Sequence, residues 1–495
     1  MIMDTIVTIN RINNFEYSFK LSSSEGIRHV AKALTFSNPD PFAYSHKIEK
    51  FDKRRLTFRI GMLPTLQEYI KKHSLSYKIY DYDYHLPDSI EIDHRMSGKY
   101  VHQRHAVEAF YRRRFGIIVV PTRGGKTFIA SEILRIFLDT DEGNFLFLTD
   151  NTTLFTQAVN DIRTYFEPYG GIEVGEIKSG KIDISKRVTV GMIQTIQSTL
   201  SGRCRDANKK KNLEKYIREL KFLCVDEVHE NCSDAKLKTY KKAKKLEYQL
   251  CLSATPYRAG TLVQNLKLKE WSGDVVYTIT EERLRKRHVL SDYRVFMLLI
   301  DHNDISYDVA VEDYAGYRTA LIFNSEIRNQ VLMEVMNVLR ELNLKTLVLF
   351  QSIEHGRKVS ELSGERFISG QTKSKERERA KNEFLSGEGG FLLASDIFKK
   401  GVTLPAAQVL LNVDGGLEEA NVIQRCGRIL GVTETKTKSV VIDFFDLYDA
   451  YFSEHSEVRL DNYVNRIGEK NVCVLDTSNE NWSIELKKII QKWLA

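Results

Sequence analysis

Several things that would have pointed elsewhere are missing from this chain of 495 residues. It has no apolar run approaching the ~20 residues that a bilayer-spanning helix needs. Its start, MIMDTIVTINR, lacks the basic segment and long apolar stretch of a secretory signal. Cysteine is sparse: Cys204, Cys224, Cys232, Cys251, Cys426 and Cys473 are scattered, with no C-x-x-C pair. Single thiols of this kind fit neither a disulfide framework nor a zinc site. No low-complexity tract interrupts the chain. These absences predict a soluble, cytoplasmic protein with no membrane partner. Proline is scarce too, at eight residues, so each one marks a deliberate turn; Pro121, Pro256 and Pro405 all fall beside motifs described below.

What is present is ordinary in bulk. Hydrophobic residues make up 42% and charged residues 28%, as in a globular protein. The net charge of +7 is a mild basic bias, compatible with a polyanionic partner without requiring one. The length implies roughly two to four domains.

From about residue 115 the chain takes on a rhythm. The runs GIIVV (116–120), FLFLTD (145–150), VTVGMI (188–193), KFLCVDE (221–227) and YQLCLSAT (248–255) are nearly apolar throughout. Strands buried on both faces of a parallel sheet read this way. Amphipathic stretches separate them, such as TFIASEILRIFLD, whose apolar pairs recur at helical spacing. A second set follows residue 290: TLVLFQS (346–352), RFISG (366–370), GFLLASD (390–396), QVLLNVD (408–414) and SVVIDFFD (439–446). The pattern predicts an α/β fold with two tandem doubly wound parallel-sheet units, spanning 96–285 and 286–450 and joined around 281–294. Residues 1–95 read as a small α+β module, with 87–99 as a linker. Residues 451–495 read as a C-terminal tail ending in an amphipathic helix.

The chemistry begins with VPTRGGKTF, 120–128, placed between a predicted strand and a helix. Gly124 and Gly125 let backbone N–H groups approach a phosphate, and the helix N-terminus adds partial positive charge. Thr122 and Arg123 complete the loop. Lys126 would reach the β- and γ-phosphates of ATP, and the Thr127 hydroxyl would help hold Mg²⁺. Val120 stands where the usual pattern has its leading glycine, so an incidental turn is the alternative. CVDEVHE, 224–230, adds Asp226 to hold the magnesium and Glu227 to orient and deprotonate an attacking water. Helix capping is the plainer use of strand-end acids, but it does not explain two in a row beyond a phosphate loop. Near the end, QRCGRILG places Arg425 and Arg428 three apart, on one helix face.

The order of phosphate loop, Asp226-Glu227-x-His229 and Ser253-Ala254-Thr255 resembles the superfamily two helicases and translocases. That resemblance implies two RecA-like units and carries further residues. Gln103 would read adenine, with His102 where the family usually has tyrosine. Thr152, Thr153, Gln157 and Thr195 would grip a nucleic-acid backbone, as would Ser352 and Ser395 in the second unit. Gly401 would approach the nucleotide, and Thr403 stands where the family often has Asp or Ser. His229 and the Ser-Ala-Thr segment would couple nucleotide state to the nucleic acid. Gln424 and Arg428 would meet the γ-phosphate, and Gly431 occupies the place of a further family arginine, so Arg425 would share the role or Arg428 act alone.

The module-plus-two-units arrangement, with Arg328 and Asn329 opening a helix, is similar to the UvsW-type recombination helicases of tailed phages. It implies an ATP- and Mg²⁺-dependent DNA helicase, working as a monomer on branched or duplex DNA or on single strands, in a host cytoplasm if phage-encoded. Recombination, repair or replication would be its setting. An RNA helicase of the same superfamily, or a motor subunit of a restriction or repair complex, are the competing readings. The lysines 238, 241, 242 and 245 suit either a phosphate-facing stripe or a solvated face.

Overall fold

The computed structural model describes residues 7–13, 15–21, 24–39, 45–81, 91–201, 204, 206–257, 262–302, 316, 318–387, 390–395, 404–413, 425–448 and 450–495. The chain divides into two units, the first made of Met1–Pro121 and Gly125–Ile279 and the second of Thr122–Gly124 and Thr280–Ala495.

In the first unit, strands β1 (Val7–Asn13), β2 (Glu16–Leu21), β3 (Thr35–Ser37), β4 (Lys47–Glu49), β5 (Phe51–Asp52), β6 (Thr57–Arg59) and β7 (Tyr77–Tyr80) build the N-terminal module. Five of them pair in the order β5-β6-β2-β1-β7. Val7, Ile9, Tyr17 and Phe19 alternate with polar neighbours, which puts one face inward against Leu66 and Ile70 of the helix Leu63–Lys72. This module is seated on the α/β body through a close approach. A Cβ at Gly61 would fall 1.7 Å from the carbonyl oxygen of Lys269, so only glycine fits there. Around it Lys50 pairs with Glu270 at 2.8 Å, Lys269 Nζ donates to Thr65 Oγ1 at 3.2 Å, and Phe15 meets Phe115 edge-on.

The larger sheet of this unit contains β8 (Phe115–Val119), β9 (Phe145–Thr149), β10 (Val174–Lys178), β11 (Lys181–Ile182), β12 (Val188–Met192), β13 (Phe222–Val225), β14 (Tyr248–Ser253) and β15 (Val275–Thr278). Their order is β11-β10-β12-β9-β13-β14-β8-β15, and every pairing but β10–β11 is parallel. The five apolar runs seen in the sequence all became strands. β10 and β15, less purely apolar, were not evident from composition.

The segment 91–97, expected as part of a linker, is anchored instead. Asp93, buried, accepts from Arg95 Nε at 2.8 Å and from the hydroxyls of Tyr165 and Tyr169 at 3.1 and 2.8 Å. Its backbone N–H donates to the buried Glu132 at 2.8 Å, which in turn pairs with Arg135. Short polar side chains with specific partners are invisible to a reading based on hydrophobic periodicity.

The second unit holds β16 (Asp292–Asp301), β17 (Thr346–Phe350), β18 (Phe367–Ile368), β19 (Phe391–Ser395), β20 (Val409–Asn412), β21 (Lys438–Leu447) and β22 (Val472–Asp476). They form one sheet, β18-β19-β17-β20-β21-β16-β22, with all pairings parallel. The sequence set residues 451–495 apart as a tail. In the fold they supply the edge strand β22, and Trp482, Leu486 and Ile490 of the last helix enter the core of the sheet.

Arg328 and Asn329 are buried in this unit. Arg328 donates to Asp446 Oδ1 at 2.7 Å and to the Val413 carbonyl at 2.6 Å, and its guanidinium lies over the Phe444 ring. Asn329 shares a 3.1 Å hydrogen bond with His355. Burial alone would raise the Asp446 pKa, but Arg328 and His302 outweigh it and hold the carboxyl well below its usual range. A depressed folded pKa stabilises the fold above the unfolded value and is lost on acidification. Asp446→Asn is therefore expected to cost about 3–5 kcal/mol at pH 7. The gap to the parent protein should stay constant down to about pH 4, the unfolded carboxylate value, and narrow below it. Denaturant titrations across that range would check this.

Candidate functional site

Because the strands of the first large sheet run parallel, their carboxyl ends share one edge, where open α/β sheets present ligands. β14 lies between β8 and β13, with Ser253 opposite Val119 and Cys251 opposite Val225. The loops that follow these three strands therefore emerge side by side.

The loop after β8 turns at residues 122–125 and opens the helix Lys126–Thr140. Gly125 starts that helix with φ 91° and ψ 34°, a left-handed geometry that costs other residues strain. A Cβ there would also lie 2.2 Å from Nε2 of Gln103, so the amide end of that side chain would have to move aside. Gln103 itself is buried on the helix Val101–Tyr111, with its amide against the loop.

Lys126 Nζ donates to Glu227 Oε1 at 2.9 Å, with both side chains mostly buried. Asp226 sits beside them, partly buried, and its pKa is pushed up, first by desolvation and then by repulsion from Glu227. Its Oδ1 accepts from the Glu227 N–H at 2.9 Å. Glu227 adopts φ 42° and ψ 56°, a left-handed conformation unusual for a glutamate, and strain of this kind gathers at working sites. Asn231 holds the strained turn from behind: its Nδ2 donates to the Asp226 carbonyl at 2.8 Å, and its Oδ1 accepts from Lys236 Nζ at 2.7 Å. Neither Asn231 nor Lys236 was singled out by sequence, since an asparagine in a polar loop carries no distinguishing signal.

His229 connects the acidic loop to the end of β14. Its Nδ1 shares a 2.9 Å hydrogen bond with Ser253 Oγ and lies 3.6 Å from Glu227 Oε2. Ser253 Oγ also accepts from the Thr255 N–H at 3.1 Å, and Ala254 lies between the two residues. Lys126, Thr127, Asp226, Glu227, His229 and Ser253 thus cluster at the one edge.

The residues expected to grip a strand lie farther along the same edge. Thr152 and Thr153 open the helix Thr152–Phe166, capped by Asn151, whose Oδ1 accepts from the Thr153 N–H at 2.7 Å. Gln157 on that helix donates to Asp161 at 3.4 Å. Thr195 lies on the helix Ile193–Leu200, and its neighbour Gln194 donates to the Asp150 carbonyl at 2.8 Å. The lysine stripe resolves toward the solvated-face reading: Lys242 and Lys245 pair with Glu214 and Glu219.

In the second unit, Ser352 caps the helix Ile353–Ser363, accepting from the His355 N–H at 3.2 Å. Ser395 is buried at the end of β19. Gly401, Thr403 and Gln424 lie outside the described residues. Arg425 and Arg428 are both buried, and they differ in company. Arg425 Nη1 donates to Asn412 Oδ1, inside the sheet, rather than standing on an open helix face. Gly431 forms a bridge with Leu290, its carbonyl accepts from Lys436 Nζ at 3.3 Å, and a Cβ would come within 3.2 Å of Pro405 Cβ. The backbone at this position is committed to its neighbours.

Comparison with known proteins follows from this arrangement. Residues 96–258 match the family model of the type III restriction enzyme res subunit, and residues 327–430 match the helicase conserved C-terminal domain. A helicase of the Sulfolobus islandicus filamentous virus is 23% identical over 360 residues, covering 68% of this chain but only 62% of the viral protein. The ATP-dependent DNA helicase uvsW of Enterobacteria phage T4 is 21% identical over 430 residues, 84% of this chain and 81% of its own length. Among solved structures, S. cerevisiae Dbp5 bound to RNA and ADP BeF3 superimposes with a TM-score of 0.55 at 17% identity, over 80% of this chain and 93% of that one.

The two effects at Gly125 can be separated. Gly125→Ala is expected to lose about 1–2 kcal/mol to its backbone angle alone, and more to overlap with Gln103. Adding Gln103→Ala should restore the overlap part and leave the backbone part. Denaturation curves of the two variants would decide it, and a full recovery in the double variant would refute the backbone argument.

Proposed function

We propose that the chain is a superfamily two helicase, an ATP-driven enzyme with two RecA-like units, that works on DNA, translocating along and remodelling duplex or branched substrates. The Lys126–Glu227 pair beside the partly buried Asp226 carries the catalytic half of this reading. Lys126 is already neutralised by a carboxylate, so an arriving triphosphate exchanges one anion for another at its ammonium and releases Glu227 toward water. Glu227, held at an unusual backbone angle, then accepts the proton of the attacking water while His229 carries its change of position to Ser253.

The donor set suits a hard cation: a hydroxyl at Thr127 and a partly buried carboxylate at Asp226 whose raised pKa marks it as short of positive charge. A Mg²⁺ ion bound there with ATP would neutralise the phosphate oxygens. The family resemblance assigns Arg428 and Gln424 to the γ-phosphate and Gly401 to the nucleotide. Thr122, Arg123 and Gly124 line the phosphates through backbone N–H groups, and Gln103 reads the adenine.

DNA is favoured by the resemblance to the phage DNA helicase across most of both chains. The likeness to an RNA-bound protein is at low identity and speaks to the fold, so it does not favour RNA. The N-terminal module, seated on the motor through Gly61, is suited to hold duplex beside it. Branch migration and fork remodelling are the expected outcomes of such a motor, in recombination, repair or replication.

ATP hydrolysis measured with single-stranded, duplex, forked and four-way DNA, and with RNA, should rise most with forked or four-way DNA. Stimulation by RNA alone would sink the proposal. At the site itself, Lys126→Ala and Glu227→Gln should each abolish turnover, with Glu227→Gln still retaining ATP. Arg428→Ala should slow hydrolysis by on the order of 10³-fold, as removal of an arginine finger does. Ordinary rates in these variants would show that the residues have been given the wrong roles.

A further inference from the structure

The second unit contains a line of buried polar groups with no counterpart in the motifs. It begins at Arg425, whose guanidinium donates to Asn412 Oδ1. Asn412 Nδ2 donates to Asp443 Oδ2 at 2.8 Å, and the Tyr463 hydroxyl donates to the same oxygen at 2.8 Å. The other Asp443 oxygen accepts from the Phe444 N–H at 2.7 Å and lies 3.6 Å from Arg459 Nε. Asn412, Asp443, Tyr463 and Arg459 are each at most 2% exposed. Burying so many polar groups is costly unless every link is made, so the line behaves as one unit.

Both ends of the line matter. Tyr463 and Arg459 belong to the helix Ala450–Ile467, which lies beyond all the motor motifs. One turn further on that helix, Arg466 pairs with Glu281, and its carbonyl accepts from Arg285. Glu281 and Arg285 sit in the helix Glu281–Lys286, the first element of the second unit. At the other end, the turn holding Arg428 is gripped again just past that residue. The Ile429 carbonyl accepts from Lys436 Nζ and from Ser439 Oγ, and the Leu430 carbonyl accepts from the Ser291 N–H at 2.9 Å.

We propose that Arg425 is a positioning residue rather than a second finger, and that Asn412, Asp443 and Tyr463 tie the Arg428 turn to the helix Ala450–Ile467. That helix is a strut joining this turn to the segment where the chain enters the second unit. The proposal rests on Arg428 being the charge that meets the triphosphate. The geometry explains why Arg425 is an arginine: a planar donor fork reaches the amide oxygen while its stem fills the interior.

Tyr463→Phe removes one hydroxyl and keeps the ring. It is expected to lower kcat roughly threefold to tenfold, the factor carried by one hydrogen bond, with KM for ATP nearly unchanged and the melting temperature lowered slightly. Asn412→Ala, which cuts the line beside Arg425, should lower kcat roughly tenfold to a hundredfold. Combined with Arg428→Ala it should cost nothing further, because both changes act through the same guanidinium. Arg425→Lys should retain only part of the parent rate. Hydrogen exchange supplies a readout independent of turnover: amides of 425–431 should exchange faster in Tyr463→Phe and Asn412→Ala, while those of β17 do not. Unchanged exchange at 425–431, or losses in kcat that multiply with Arg428→Ala, would overturn the strut. A mild Arg428→Ala with altered exchange would keep the strut and remove the finger assignment instead.

Discussion

The contact on which the rest of the first unit depends is a 2.9 Å ion pair between Lys126 and Glu227, two residues that follow different strands of one sheet. An ammonium and a carboxylate held mostly out of water would be a poor source of stability by themselves, since desolvation offsets much of their attraction. Their value lies in being exchangeable. In the proposed function a triphosphate takes the place of the carboxylate at the ammonium, and the freed glutamate acts as the base. The Asp226 carboxylate beside them is disfavoured in its charged form by desolvation and by Glu227, and the proposed cation would relieve this. Three features that look unfavourable alone (a strained glutamate, a partly buried aspartate and a pre-paired lysine) are consistent with a site awaiting its ligand.

The parallel sheet is what makes the pair possible. With β14 between β8 and β13, the phosphate loop, the acidic loop and the Ser-Ala-Thr segment arrive at the same edge whatever lies between them in sequence. His229 then needs only one hydrogen bond to Ser253 to connect the acidic loop to the segment leading away from the site. The second unit repeats the architecture with a different economy. Its interior carries charged and amide side chains, Arg328 with Asp446 and Arg425 with Asn412 and Asp443, that fix one arrangement of loops instead of adding apolar contact.

Much of this was legible in the residues. Buried parallel strands are continuous apolar runs, so GIIVV, FLFLTD and TLVLF announced themselves, and two sets of such runs announced two units. Lys126, Asp226 and Glu227 were legible because phosphate chemistry restricts both residue type and spacing. Other elements gave no such sign. β15, VVYT, is half-exposed, and β22 is a mixed edge strand that the sequence left in a tail. Asp93 and Arg95 read as linker because their partners, Glu132 and Tyr165, are far along the chain. The lysines near 240 read as a possible phosphate stripe until their acidic partners appeared on the neighbouring helix.

The two arginines of QRCGRILG mark the division most clearly. Sequence alone determined the α/β class, the phosphate loop, the acidic pair and the presence of buried-strand periodicity, because each is a local pattern set by backbone geometry or by the charge of a ligand. It also determined that arginines stand three apart here, and it could assign them only one shared surface. Tertiary structure decided that Arg425 turns inward to Asn412, that the Gly431 backbone is taken up by Leu290 and Lys436, and that a helix beyond the motifs anchors the turn. Those outcomes depend on which distant groups a fold brings within hydrogen-bond reach, and a buried polar side chain is defined by its partner far more than by its own place in the sequence.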